Sequence, residues 1–216
     1  MNAVGDGYSA SKVLRWSERI RPALIIPCGA LVGIVLGVIA RAWMRWISTD
    51  PEFSWNGTIG ILIGFVVFFT LHATVLFGRR KGWSRRWLTV TRVVAAILSL
   101  GIFSAAGAAM LPTVLTASLG LARTDWPRFV RRVLIVLSLV IPFFLVRDIG
   151  SDFGWNPITA GRVLLFVLIY HVIISVARIT VAPQGDSWRM NRKVRATIWV
   201  VLAGFVLFVA LKIQIK

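Results

Sequence analysis

Charged side chains are scarce in this sequence, and acidic ones especially so. Charged residues make up 15% of the 216 residues, whereas apolar residues make up 57%. A typical soluble domain has about 25% charged and about 45–50% apolar residues. A soluble fold of this length leaves too much surface exposed to hide so many apolar side chains. The composition therefore excludes a soluble globular protein and predicts an all-α, polytopic transmembrane helix bundle.

The groups on which most enzymes and cofactor sites depend are also missing. All 8 Asp and Glu residues lie outside the apolar runs. The sequence contains no glycine-rich nucleotide loop, no H-E-x-x-H motif and no G-x-S-x-G motif. The one cysteine, Cys28, lies within an apolar run, which excludes a disulfide framework and a cysteine metal cluster. The sequence thus predicts neither an enzyme nor a bound cofactor or metal.

Basic residues are abundant and give the chain a formal net charge of +17. They occur in bursts between the apolar runs, which is the pattern of the positive-inside rule. We therefore expect anionic lipid headgroups, and not nucleic acid, as the partner of this charge. Arg92 lies about one helical turn inside an apolar run, from where its long side chain can extend to the inner headgroups.

The apolar runs predict the topology. Residues 1–22 form a basic N-terminal segment, expected to lie on the cytoplasmic surface as an interfacial helix, and residues 23–216 form a single transmembrane helical domain. Seven spans place most of the 25 basic residues on the cytoplasmic side, whereas six spans, the alternative, divide them almost evenly. Within the long third run, Gly107 and Pro112 are suited to a turn between two short spans. The predicted runs are 23–40, 57–78, 87–122 (two spans), 133–146, 163–182 and 196–211.

Two segments of the chain share an unusual spacing that suggests an internal repeat. Each begins with Trp-Asn, contains one histidine and ends with an arginine. The Trp–His separations are 17 and 16 residues, and both His–Arg separations are 7 residues. Such a match predicts a parallel three-plus-one-plus-three repeat of spans, although any span that enters from the outside tends to begin with Trp and end with Arg. The paired residues are Trp55, His72 and Arg79 in the first segment, and Trp155, His171 and Arg178 in the second.

Glycines at four-residue spacing mark two of the predicted spans. Gly29, Gly33 and Gly37 lie on one face of the first span, and Gly60 and Gly64 lie on one face of the second. Small residues at this spacing let two helix backbones approach closely in lipid. The strips predict either helix packing within this bundle or docking of a partner subunit.

The two histidines, His72 and His171, both lie well inside predicted spans. Ionisable residues at membrane depth are candidate functional groups. A pair of facing imidazoles could bind haem or a metal, or pass a proton. The alternative is that each neutral histidine forms a hydrogen bond to a neighbouring hydroxyl group or backbone carbonyl.

One stretch, Arg41–Thr58, carries a resemblance to a known group of proteins. It reads R-A-W-M-R-W-I-S-T-D-P-E-F-S-W-N-G-T. This stretch resembles a loop in small, uncharacterised multispanning membrane proteins of actinobacterial type. That group has no activity to transfer, so the resemblance implies only a bacterial plasma membrane.

These observations lead to three functional hypotheses. The first is a non-catalytic accessory or scaffold subunit of a larger membrane assembly, such as a transport complex, with a protein partner in the membrane. The second is a small transporter or channel whose path lies near His72 and His171. The third is a haem- or metal-binding membrane protein that uses the same histidines. In each case we expect a multi-pass protein of the plasma (inner) membrane with a cytoplasmic N-terminus.

Overall fold

The computed structural model describes residues 21–49, 54–106 and 110–183, with the backbone alone for residues 104–106. The chain divides into two compact units, residues 1–182 and 183–216, and the description below concerns the first. Most of the predicted N-terminal segment 1–22 and all of the apolar run 196–211 lie outside the described residues. The predicted division into 1–22 and 23–216 therefore stays a prediction.

Within the described ranges, all regular secondary structure is helical, and no strand occurs. A short 3-10 helix, Pro22–Leu24, leads directly into the first α-helix. The prediction of an all-α fold is confirmed for this part of the chain. The α-helices are α1 (Ile25–Ile47), α2 (Trp55–Arg80), α3 (Arg85–Ala106), α4 (Leu111–Ala122), α5 (Arg128–Phe153) and α6 (Pro157–Val181).

Five of these helices are long and apolar enough to cross a membrane, namely all except α4. Helix α4 has 12 residues, about 18 Å, whereas a hydrocarbon core is about 30 Å thick. The described structure is therefore that of a helical multi-pass membrane protein. It does not confirm the predicted number of seven spans.

In the described residues the long run 87–122 contains two helices, α3, which ends at Ala106, and α4, which begins at Leu111. Residues 107–109, where the sequence predicts a turn, lie outside the described residues. The prediction of two short spans in this run is not confirmed, because α3 has 22 residues and can cross a membrane, whereas α4 has only 12 residues. The run 133–146 is likewise part of a longer helix, the 26-residue α5. Hydropathy locates only the apolar middle of α5, since its charged first and last turns are also helical.

The helix boundaries follow from local side-chain and backbone chemistry. The hydroxyl oxygen of Ser54 accepts a hydrogen bond of 3.2 Å from the amide of Gly57 at the start of α2. Asn156 caps α6 in the same way through the amide of Thr159, at 2.9 Å. Polar N-caps of this kind satisfy amides that have no partner within the helix. Gly154 ends α5 at φ +68°, a conformation that side chains disfavour.

Helices α1 and α2 pack against each other in antiparallel orientation through the first glycine strip. A Cβ atom at Gly33 would lie 2.8 Å from both the carbonyl oxygen of Phe65 and the Cα of Val66. A Cβ atom at Gly29 would lie 3.0 Å from the carbonyl oxygen of Phe69. The two backbones therefore lie closer together than a side chain at Gly29 or Gly33 would allow. This close approach gains dispersion contacts between helices that lipid gives no hydrophobic reason to associate.

Aromatic side chains fill the centre of the bundle. Phe65 and Phe68 of α2 and Phe166 of α6 are each at most 2% exposed. The ring of Trp43 stacks on Phe166 with a centroid distance of 5.4 Å and so joins α1 to α6. A cavity between α1, α2, α3 and α6 has a volume of only about 10 Å³. This part of the bundle is closely packed and has no room for more than one water molecule.

The basic segments of the described helices lie at one end of the bundle. Hydrogen bonds from Arg79 and Arg92 to the end of α6 bring together the end of α2, the start of α3 and the end of α6. Arg123, just after α4, lies near enough to Arg92 for their charges to repel each other. Arg131 near the start of α5 donates a hydrogen bond of 3.1 Å to Gly120 of α4. We call this end of the bundle the basic end.

The two segments with matching sequence spacing pack differently. In the first, α1 and α2 are joined along the glycine strip; in the second, α5 packs mainly on α4 and has little contact with α6. The matched histidines also differ, since His72 is buried and His171 is exposed. The last span of the predicted repeat lies outside the described residues. The described helices therefore do not show the packing that a parallel repeat would produce.

The glycine contact predicts a contrast between two matched substitutions on neighbouring helices. Gly33→Ala should lower the free energy of unfolding by about 1–3 kcal/mol, because its methyl group meets backbone atoms of α2. Gly60→Ala should be neutral or slightly stabilising, because nothing lies within 4 Å of a Cβ there. Denaturation in mixed micelles, followed by circular dichroism, measures both. Equal effects of the two substitutions would contradict the described packing.

Candidate functional site

His72 is buried in the centre of the bundle, on the third turn from the end of α2. Its residue surface is 3% exposed. The Nδ1 atom lies 2.8 Å from the carbonyl oxygen of Phe68, one turn earlier, and the ring packs on the Phe68 ring with a centroid distance of 4.2 Å. A neutral imidazole with Nδ1 protonated can donate this hydrogen bond. The geometry is that of a structural histidine bonded to its own helix.

His171 has a different environment, because its side chain is exposed on the outer surface of α6. Residues three, four and seven positions earlier, Leu168, Val167 and Leu164, are also exposed at 52%, 51% and 60%. Together these four residues form one stripe along α6, which we call the His171 stripe. At 1.5 Å per residue, His171 lies about 21 Å from the first residue of α6, which is well within membrane depth.

The two histidines therefore do not share a common space. The His72 ring is buried and packs on Phe68, whereas the His171 side chain is exposed. Two ligands of one haem or metal ion must face the same volume. Among the described residues, no group of three or more His, Cys, Asp or Glu side chains could hold a metal ion. The difference in burial weighs against a shared histidine site.

The predicted glycine positions have three kinds of surroundings. Gly29, Gly33 and Gly37 face α2, and a Cβ at Gly37 would lie 3.3 Å from the Cα of Leu62. Gly64 faces α3, where a Cβ would lie 3.4 Å from the Cα of Ile102. Gly60 has no neighbour within 4 Å of a Cβ. Four of the five glycines thus contact helices of the same chain, and Gly60 is the one with open space beside it.

An aromatic and cationic cluster joins α1, α5 and α6 at the end opposite the basic end. The indole N–H of Trp43 donates a hydrogen bond of 2.8 Å to the carbonyl oxygen of Arg162. The guanidinium carbon of Arg162 lies 3.8 Å from the centroid of Phe153 and 5.7 Å from that of Trp46. Cation–π contacts of this kind hold a charged group against apolar surface. The cluster fixes where three helix ends meet.

A second cationic cluster, which the sequence does not reveal, lies at the basic end. Arg79 donates a hydrogen bond of 2.6 Å from Nη2 to the carbonyl oxygen of Ala182, which follows α6. Arg92 donates from Nη2 to the same oxygen, at 2.9 Å, and from Nε to the carbonyl oxygen of Thr180. Arg92 therefore caps the end of α6. The sequence predicts only that Arg92 extends to the headgroups and does not predict these hydrogen bonds. Because the contacts join residues 88 to 103 positions apart, no local pattern could have predicted them.

Comparison of the chain with protein-family models, with curated proteins and with solved structures finds no match. The resemblance of Arg41–Thr58 to actinobacterial-type membrane proteins therefore stays a prediction.

The contrast between the two histidines predicts unequal effects of the same substitution. His72→Ala should destabilise the protein by about 2–4 kcal/mol, because it leaves a cavity among packed aromatic rings. His171→Ala should change stability in detergent by less than about 0.5 kcal/mol, because the side chain is exposed. Denaturant titration of both variants measures the difference. Similar losses would show that the two imidazoles are buried alike, against the structure.

The Trp43 hydrogen bond can be tested separately from the packing of its ring. Trp43→Phe keeps an aromatic ring against Phe166 but removes the N–H donor, and should cost about 1–2 kcal/mol. Trp87→Phe is the matched control, since Trp87 is 68% exposed, and it should be close to neutral. Thermal unfolding in the same detergent compares them. A Trp43→Phe variant as stable as the control would remove the proposed link between α1 and α6.

Proposed function

We propose that the protein is a non-catalytic accessory or scaffold subunit that assembles with another protein in the plane of the membrane. The observation that carries this proposal is the exposed imidazole of His171 on the surface of a spanning-length helix. A polar group that faces acyl chains at this depth is costly, and such groups usually face protein or water. A partner helix that donates a hydrogen bond to the imidazole, or accepts one from it, would remove that cost.

The shape of the His171 stripe supports the same proposal. Leu164, Val167 and Leu168 provide apolar surface on the same side of α6 as the imidazole. A single polar group within an apolar stripe is the arrangement by which helices associate in lipid, because packing supplies contact area and the hydrogen bond supplies specificity. The stripe fits one helix of a membrane partner.

The interior of the described bundle supports a structural role over transport or catalysis. A conduction path near His72 needs space around the imidazole, but His72 is only 3% exposed and its ring packs on the Phe68 ring. A haem or metal site that uses both histidines requires the two imidazoles to face the same space. His72 is buried, whereas His171 is exposed. In the part of the chain that the structure describes, no specific contact favours the transporter or the haem-binding hypothesis, so we retain the accessory role.

We further propose a topology with the basic end in the cytoplasm and seven crossings of the plasma membrane. In this topology α3 would carry the chain outward and the 12-residue α4 would lie in the returning segment. The apolar run 196–211 would provide the last crossing. The positive-inside rule supports this orientation and places the N-terminus in the cytoplasm.

Photo-crosslinking in native membranes tests the accessory role. A benzoylphenylalanine at Leu168, beside His171, should give one protein adduct of discrete mass. The same probe at Val136 on α5, which is 64% exposed, is the control and should give no adduct of that mass. Adding His171→Leu should reduce the Leu168 adduct about fivefold or more, since one hydrogen bond in a membrane interface contributes about 1–2 kcal/mol.

Three outcomes would contradict the accessory role. The first is that lipid adducts alone form at Leu168. The second is a product of twice the chain's mass, which would replace a foreign partner by a second copy of this chain. The third is that equal protein adducts form at Leu168 and Val136, which would indicate random collision in the membrane.

A further inference from the structure

Among the described residues, the hydrogen-bond acceptors of Arg79 and Arg92 at the basic end are neutral backbone oxygen atoms alone. Both guanidinium groups donate to the same carbonyl oxygen, that of Ala182. Two positive charges therefore lie within a few ångströms of one atom, and they repel each other. Arg123 repels Arg92 in addition. Among the described residues, the one carboxylate in an ion pair at this end is Asp125, and it is 2.7 Å from Arg123.

The charge balance of this cluster is incomplete. The carbonyl end of a helix is equivalent to about −0.5 of an elementary charge. This offsets about a quarter of the two positive charges of Arg79 and Arg92. Both side chains are half-buried, so water screens them less than it would at a fully exposed surface. A singly charged anion at this position would neutralise most of the remaining charge.

The arginines also retain hydrogen-bonding capacity. A guanidinium group carries five N–H donors, and the contacts to α6 use one nitrogen atom of Arg79 and two of Arg92. The Nε atom of Arg79 is buried and has no hydrogen-bond partner. Planar guanidinium groups bind phosphate oxygens through paired hydrogen bonds, which is why arginine is the preferred residue for phosphate recognition.

The depth of the cluster matches the position of lipid phosphates. Arg79 follows the apolar part of α2 directly, and Arg92 lies two turns inside α3. The ring of Trp83 packs against Gly78 and lies edge-on to Phe77 at 5.9 Å. Tryptophan rings prefer the boundary between headgroups and acyl chains. This preference supports placing the two guanidinium groups at the level of the phosphodiesters of the adjacent leaflet.

From these observations we infer that Arg79 and Arg92 bind the phosphate of an anionic phospholipid at the junction of α2, α3 and α6. The phosphodiester supplies the missing negative charge and accepts the unused N–H donors. Basic pockets between membrane helices bind anionic lipid headgroups in this way. The bound lipid would hold three helix ends together at the basic end. The inference does not depend on the proposed accessory role, because it concerns a different surface.

Lipid titration of the purified full-length protein in a neutral detergent tests this site. Phosphatidylglycerol should bind more tightly than phosphatidylcholine, as measured by native mass spectrometry of the lipid-bound fraction. Arg79→Gln and Arg92→Gln should each weaken phosphatidylglycerol binding about tenfold or more, because each removes charge-assisted hydrogen bonds. Arg92→Lys keeps the positive charge but loses the planar set of guanidinium N–H donors, so it should weaken phosphatidylglycerol binding less than Arg92→Gln does.

Arg85→Gln is the matched control. It removes the same charge at the same end of α3, but Arg85 is exposed, and its substitution should change the affinity less than about threefold. Comparing affinities at a temperature where every variant retains its helical circular dichroism separates lipid binding from folding. Glutamine variants that bind phosphatidylglycerol as tightly as the original protein would overturn the inference.

Two further outcomes would also overturn it. Inorganic phosphate that raises the unfolding temperature as much as phosphatidylglycerol at equal concentration would assign the site to a free anion.

The sequence places Asp186 four residues after Ala182, outside the described residues. If Asp186→Asn and Arg92→Gln lower the unfolding temperature equally without lipid, and the double variant lowers it no further, that carboxylate is the counter-charge. Additive effects of the two substitutions support a lipid phosphate.

Discussion

Lipid gives apolar helices no hydrophobic reason to associate, and this constraint explains where the described helices contact each other. Acyl chains solvate leucine and valine as well as another helix does, so helices must be held by close packing and polar contacts. The structure uses both. Glycines bring the backbones of α1 and α2 together along their length. Polar contacts concentrate at the helix ends, where carbonyl groups lack partners within the helix.

The two ends of the bundle use arginine in different ways. At the basic end, Arg79 and Arg92 donate to the last carbonyl oxygens of α6, a position that the helix dipole makes favourable for cations. At the opposite end, the guanidinium group of Arg162 lies over the ring of Phe153, and its backbone carbonyl oxygen accepts a hydrogen bond from Trp43. The first arrangement leaves positive charge for an external anion, whereas the second is enclosed by aromatic rings.

Sequence reasoning predicts the features that depend on local pattern. Helical content, the presence of two helices within the run 87–122, and the close packing at glycines of four-residue spacing all follow from composition and spacing. The different burial of His72 and His171 could not be predicted, because both residues have the same spacing to a following arginine. Which helix face is covered depends on the neighbours, and α2 lies between α1 and α3, whereas α6 keeps an outer face. The role of Arg92 depends on α6, far along the chain, and hydropathy contains no information on that contact.

The account depends most on the assignment of the basic segments to one side of the membrane. Single-cysteine labelling in intact cells, in a Cys28→Ser background, tests this most directly. Cysteines at Arg86 and Thr124 at the basic end should react with a membrane-impermeant reagent only after the cells are permeabilised. Cysteines at Ser151 and Trp155 at the opposite end should react in intact cells. Labelling of Thr124 and Ser151 from the same side would contradict the account.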